Sequence, residues 1–68
     1  MDTNTKARLV HEHDELDARI EKLESFITGN VFESLPEDDR ADLREQLRHM
    51  RAYSTVLARR MRRHTKLA

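Results

Sequence analysis

Two rows of six residues constrain this chain more than anything else in it. Leu9, His13, Leu16, Ile20, Leu23 and Ile27 recur at steps of 4, 3, 4, 3 and 4, and so do Leu43, Leu47, Met50, Ser54, Leu57 and Met61. Steps alternating between three and four residues line side chains along one face of an α-helix, as in a coiled-coil seam. The rows also register with each other. When the chain is folded at its middle, each member of the first row meets a member of the second whose number brings the pair to 70. The pairs are Ile27 with Leu43, Leu23 with Leu47, Ile20 with Met50, Leu16 with Ser54, His13 with Leu57, and Leu9 with Met61. A slip of one heptad would strand seam residues at both ends. The sequence therefore predicts an all-α fold, an antiparallel two-helix hairpin with a coiled-coil-like core.

The single Gly and the single Pro stand seven residues apart, between the rows. Gly29 fits the residue just past a helix C-terminus. Ser34-Leu35-Pro36-Glu37 offers a capping box, with Ser34 accepting from the Glu37 amide and Pro36 in the first helical turn. Residues 1–68 then form a single helical-hairpin domain, with helix one over about 5–28, a hinge over about 29–34 and helix two over about 35–64.

Charge agrees with that topology. Residues 1–30 carry seven acids and four bases, whereas residues 47–68 carry seven bases and no acid. Antiparallel folding lays an acidic helix along a basic one and neutralises Arg48, Arg51 and part of the arginine cluster by exposed pairs, each worth at most about 1 kcal/mol.

A 68-residue chain with no cysteine buries little core and has no disulfide or thiolate metal site to reinforce it. Self-association, as a dimer or tetramer, is the expected remedy, two hairpins making a four-helix bundle. The longest apolar run is Val56-Leu57-Ala58, far short of a membrane span, and the N-terminus lacks the apolar stretch of a signal peptide. A soluble cytoplasmic protein is the default expectation.

A second row runs beside the seam of helix two: Gln46, His49, Tyr53, Val56, Arg60 and Arg63. A row of this mixed chemistry is more often an oligomer interface with a polar rim, and it also suits a binding site; the two can hold together. Arg60 and Arg63 can grip phosphate with forked donors, Tyr53 offers a ring on which a base can stack, and Gln46 and His49 can read a base edge. At the level of the arginines, helix one contributes Lys6 and Arg8. Like charges gathered there repel unless an anion sits between them. The candidate ligand-binding set is Arg60, Arg63, Tyr53, His49, Gln46 and Arg8, with a nucleotide phosphate as the expected anion.

Catalytic chemistry finds no such support. His11 and His13 lie two apart and so point to different sides of a helix. Glu12, Asp14, Glu15 and Asp17 lack the glycine of a calcium loop, and Glu15 with Arg19 reads as a solvated pair. The predicted register sets His13 against Leu57, one layer from Ser54, with no acid to orient it; Ser54 is expected to bond back to the Met50 carbonyl. There is no Gly-rich phosphate loop or nucleophile elbow. A non-catalytic binding protein without cofactor or metal is expected.

The pattern E-x-x-E-L-x-x-x-I-x-K-L-x-x-F-I, then F-x-x-L, then L-x-x-Q-x-x-x-M-x-x-Y-x-x-x-L-x-x-R occurs here as Glu12, Glu15, Leu16, Ile20, Lys22, Leu23, Phe26 and Ile27, then Phe32 and Leu35, then Leu43, Gln46, Met50, Tyr53, Leu57 and Arg60. Over residues 12–60 it resembles small phage-encoded helical-hairpin proteins, related in role to phage anti-defence sponges for nucleotides. Many matched positions are core; Gln46, Tyr53 and Arg60 are not. The resemblance implies a phage or prophage accessory protein acting in the cytoplasm of an infected bacterium. It implies an oligomer that sequesters a nucleotide immune signal, such as a cyclic dinucleotide or an ADP-ribose derivative. Two other classes remain open. One is a nucleic-acid-binding bundle using "RRMRRH", against which the zero net charge counts. The other is a regulator docking on a host protein.

Overall fold

The computed structural model describes residues 3–66, and among them every regular element is helical. The elements are α1 (Thr3–Ile27), α2 (Asn30–Glu33) and α3 (Glu37–Lys66). The two long helices pack antiparallel into a rod with extents of 50 × 15 × 14 Å. Its length is close to the roughly 45 Å that a 30-residue helix spans at about 1.5 Å per residue.

The core lies along the two rows. Leu9, Leu16, Ile20, Leu47 and Leu57 are buried in one cluster, and Leu23, Ile27, Met50 and Met61 pack against it half-buried. All twelve seam residues are buried or half-buried. Interhelical contacts fix the register. Ser54 lies between His13 and Asp17, at the level of Leu16. Tyr53 bonds Glu12 and Arg51 pairs with Glu24. Glu12 and Tyr53 each precede a seam residue by one; Glu24 and Arg51 each follow one. In an antiparallel pair those flanking rows face each other.

The connection departs from expectation. A one-turn helix, α2, occupies most of the segment expected to be hinge. Gly29 does not adopt the left-handed conformation of a helix-terminating glycine. It is extended, at φ −96° and ψ 171°, and serves as the N-cap of α2. Ser34 does not cap α3. Its amide and hydroxyl both donate backwards, the hydroxyl to the Val31 carbonyl at 2.7 Å, so it closes α2. The reason is Pro36, whose ring disfavours helical geometry at Leu35 and breaks the path from Ser34 into the next helix. The α3 ladder starts at Pro36 instead, whose carbonyl accepts from the Arg40 amide at 3.1 Å. Glu37, Asp38 and Asp39 occupy the first turn, where the helix dipole favours carboxylates.

The turn of α2 also buries Phe32, a residue off both rows, to 2% exposure. Its ring meets Phe26 edge to face at 6.2 Å, and the Arg44 guanidinium lies over it at 5.1 Å. These contacts plug the hinge end of the seam with an aromatic pair capped by a cation.

Candidate functional site

The candidate row lies on α3, flanking the seam. Gln46, His49, Tyr53 and Arg63 are exposed, and Val56 and Arg60 are half-buried. Helical spacing keeps the six in line. Arg8, exposed on α1, lies at the same end of the rod as Arg60 and Arg63.

Tyr53 is the best-defined member. Its hydroxyl donates to Glu12 Oε1 at 2.5 Å. That bond raises the phenol above its usual range, since ionisation would lose it. Desolvation and the Glu12 charge push the same way, while the nearby Arg60 charge pulls the phenol down. Tyr53, Arg60 and Glu12 thus form one electrostatic group. The other two polar members are tied along their own helix. Gln46 Nε2 lies 3.9 Å from Met50 Sδ, and His49 Nε2 lies 3.5 Å from Glu45 Oε1. The sequence places Glu12 in the E-x-x-E-L pattern and in no calcium loop, and gives it no part in the candidate site. Its place one residue before a seam position, matching Tyr53 on the other helix, is the signal that identifies it.

The arginines divide differently from expectation. Arg51 does cross to Glu24, but Arg48 pairs within its own helix, with Glu45 at 3.5 Å. Among the described residues, Arg59, Arg60, Arg62 and Arg63 make no ion pair. Helix one at their level presents Lys6 and Arg8 with only Glu12 and Asp14, so internal neutralisation stops short of the cluster.

The Ser54–His13 reading also changes. Ser54 Oγ lies 3.4 Å from His13 Nε2 and donates to Asp17 Oδ1 at 3.0 Å. Asp17 Oδ2 lies 3.5 Å from His13 Nδ1. An acid is therefore present, one turn along from His13, and the Ser54 hydroxyl goes to it rather than back to the Met50 carbonyl. The arrangement differs from a nucleophile triad, in which serine donates to the imidazole and the acid holds its far side. Here the carboxylate itself accepts the serine hydroxyl's hydrogen bond. The three side chains satisfy one another as a polar layer in the seam.

Among the described residues, no group of three or more His, Asp or Glu is placed to hold a metal ion. No described helix is long and apolar enough to cross a membrane. What the site offers is an exposed phenol ring near Arg60, on a row that runs to guanidinium groups without an ion pair among the described residues. A family model, Sequestin, matches residues 3–63. The chain belongs to the Sequestin family. The match takes in both long helices almost entirely, the seam and all six residues of the α3 row. The name Sequestin points to sequestration. No curated protein and no solved structure matches the chain.

Proposed function

We propose that this Sequestin-family chain is a non-catalytic sponge. In this reading it binds a phosphate-bearing nucleotide signal stoichiometrically and withholds it from a receptor. The observation that carries the reading is the set of arginines, Arg60 and Arg63 foremost, that make no ion pair among the described residues and share a row with the exposed Tyr53 ring. Arg60, Arg63 and Arg8 would hold phosphate by charge-assisted bonds, and Tyr53 would stack a base. Gln46 and His49 would contact the base edge. Cyclic dinucleotides and ADP-ribose-type compounds combine a base, hydroxyls and closely spaced phosphates, the chemistry this row complements. The biological setting that fits is a phage or prophage counter-defence protein in the host cytoplasm, working as a homo-oligomer.

Calorimetry across cyclic dinucleotides, ADP-ribose compounds and short RNA tests this. Each charge-assisted contact contributes about 1.5–3 kcal/mol, so Arg60→Ala should weaken binding by roughly 10- to 150-fold. Tyr53→Ala should weaken it as well, with helicity unchanged. Absence of binding across the whole panel defeats the proposal. Binding of RNA alone, with a steep salt dependence, would favour the nucleic-acid reading instead.

A further inference from the structure

The folded rod is strongly polarised. Residues 4–14 and 55–64, which make one end, carry six Lys and Arg against two Asp and Glu; residues 21–45, around the hinge, carry three against eight. The α3 row continues into the acidic end. Extended backwards with the same alternation of three and four, it reads Asp39, Asp42, Gln46, His49, Tyr53, Val56, Arg60, Arg63. Those eight positions are symmetric about residue 51. Asp39 mirrors Arg63, Asp42 mirrors Arg60, Gln46 mirrors Val56, and His49 mirrors Tyr53.

A two-fold interface between identical chains needs this self-complementarity, because if residue i touches residue j of the partner, j must also touch i. We infer that this row of α3 docks a second copy of the chain, antiparallel, on a two-fold axis at the level of Arg51. The Arg60 and Arg63 guanidiniums would face the partner's Asp42 and the partner's Asp39. Tyr53, Val56, His49 and Gln46 would line the centre, so that the nucleotide site proposed above would lie between the two copies, and two hairpins would form a four-helix bundle.

Charge selects the orientation. A parallel partner would set acid on acid and arginine on arginine along the same row, and like charges in register repel. The row is also available, since its members are exposed or half-buried and Asp39 and Asp42 are exposed. A lone hairpin leaves Tyr53 at 41% exposure and, among the described residues, buries six hydrophobic ones, so a covering partner adds what a chain of this size lacks. The inference needs no nucleotide, although a phosphate would meet the same arginines. A guanidinium presents five N–H donors and a carboxylate engages at most two of them through a fork, so the second copy and an anion can share it.

The test uses charge-swapped full-length chains in sedimentation equilibrium at micromolar concentration. Wild type should sediment as twice its 8.1 kDa mass. Asp42→Arg and Arg60→Asp should each weaken self-association by about tenfold or more, because each places two like-charged pairs in every dimer. An equimolar mixture of the two variants should recover wild-type affinity, since only the mixed dimer restores both opposite-charge pairs. Within one chain these two residues are about 27 Å apart along α3, so recovery has to come between chains. Asp14→Arg and Arg62→Asp, off the row but with the same net charges, should lose little and gain nothing on mixing. Recovery together with circular dichroism also shows that the variants fold. A monomeric wild type, unaffected single swaps, a mixture no tighter than its components, or equal gain from the control pair overturns the inference.

Discussion

Truncating Leu57 to Ala puts the seam to its most direct test. Leu57 is the one fully buried large side chain among the described residues, at 0% exposure, and it belongs to the cluster joining α1 to α3. Leu-to-Ala changes at buried sites cost about 2–5 kcal/mol, through lost transfer free energy and the cavity left behind. A rod about 15 Å thick can collapse partly around a hole, which favours about 2–4 kcal/mol here. A chain of 68 residues has roughly 3–10 kcal/mol of total stability, so the loss is a large fraction of it. At about 7 °C per kcal/mol for a chain of this length, Tm should fall by roughly 15–30 °C. Thermal and urea melts followed by far-ultraviolet circular dichroism measure this. Wild type and variant must be compared at one protein concentration, because self-association is linked to stability. Val31→Ala is the control: Val31 is 63% exposed, and its loss should stay within about 0.5 kcal/mol. A Leu57→Ala cost below about 1 kcal/mol, or a Val31→Ala cost equal to it, would show that the two rows are not the core.

The other predictions concern Tyr53 and Gly29. Tyr53 is the only tyrosine and there is no tryptophan, so near-ultraviolet absorbance follows its ionisation alone. Its midpoint should lie above the usual value of 10.0, and Glu12→Gln should bring it down; equal midpoints in both proteins would remove the bond. Because the folded value is raised, this bond's stabilisation is present in full below about pH 10 and is lost as pH rises through the folded midpoint. Gly29→Ser should be neutral or stabilising by up to about 1 kcal/mol, because the backbone is extended there and serine caps α2 and restricts the unfolded chain. A melt showing clear destabilisation would mean that the position needs a conformation only glycine adopts.

Periodicity exposed the parts of the fold that depend on one helix face meeting another. The two rows are visible because each is regular over six positions, and their common midpoint gives the pairing. The hinge was less legible because it depends on competition among local bonds. Ser34 has the right neighbours for a capping box, yet Leu35-Pro36 denies it the backbone path, and its hydroxyl turns back to Val31. Phe32 falls off both rows because it is buried by a single turn whose axis is neither helix's, so no period could include it. In the α3 row, the type and spacing of Tyr53 and Arg60 were readable from sequence, while Glu12 emerges only when the flanking rows are set face to face. The polar layer was misjudged for a related reason. Pairing by layers treats each residue as a point, whereas Asp17 follows Leu16 by one position and reaches across to Ser54.

That layer supports a last prediction. His13 and Ser54 occupy seam positions where leucine or alanine would bury more apolar surface. Their bonds to each other and to Asp17 satisfy the polar atoms without adding much net stability, since each such bond replaces one to water and contributes about 0.5–1.5 kcal/mol at most. Replacing both partners by apolar groups of similar shape, His13→Leu with Ser54→Ala, should therefore be neutral or stabilising, because Asp17 is half-exposed and stays hydrated. Asp17→Ala alone removes the acceptor of the Ser54 hydroxyl and should destabilise by about 1 kcal/mol. What the double variant should lose is uniqueness. With an uninterrupted apolar seam, chains related by a heptad slip or by exchange between copies become close in energy, as when a single polar seam residue is removed from a coiled coil. Amide signals in a nitrogen–proton correlation spectrum report this directly: one set for wild type, more than one, or broadened signals, for the double variant. A double variant that loses more than about 2 kcal/mol in urea would make the layer a source of stability. One that is stable and gives a single sharp set of signals would show that the seam is specified without it.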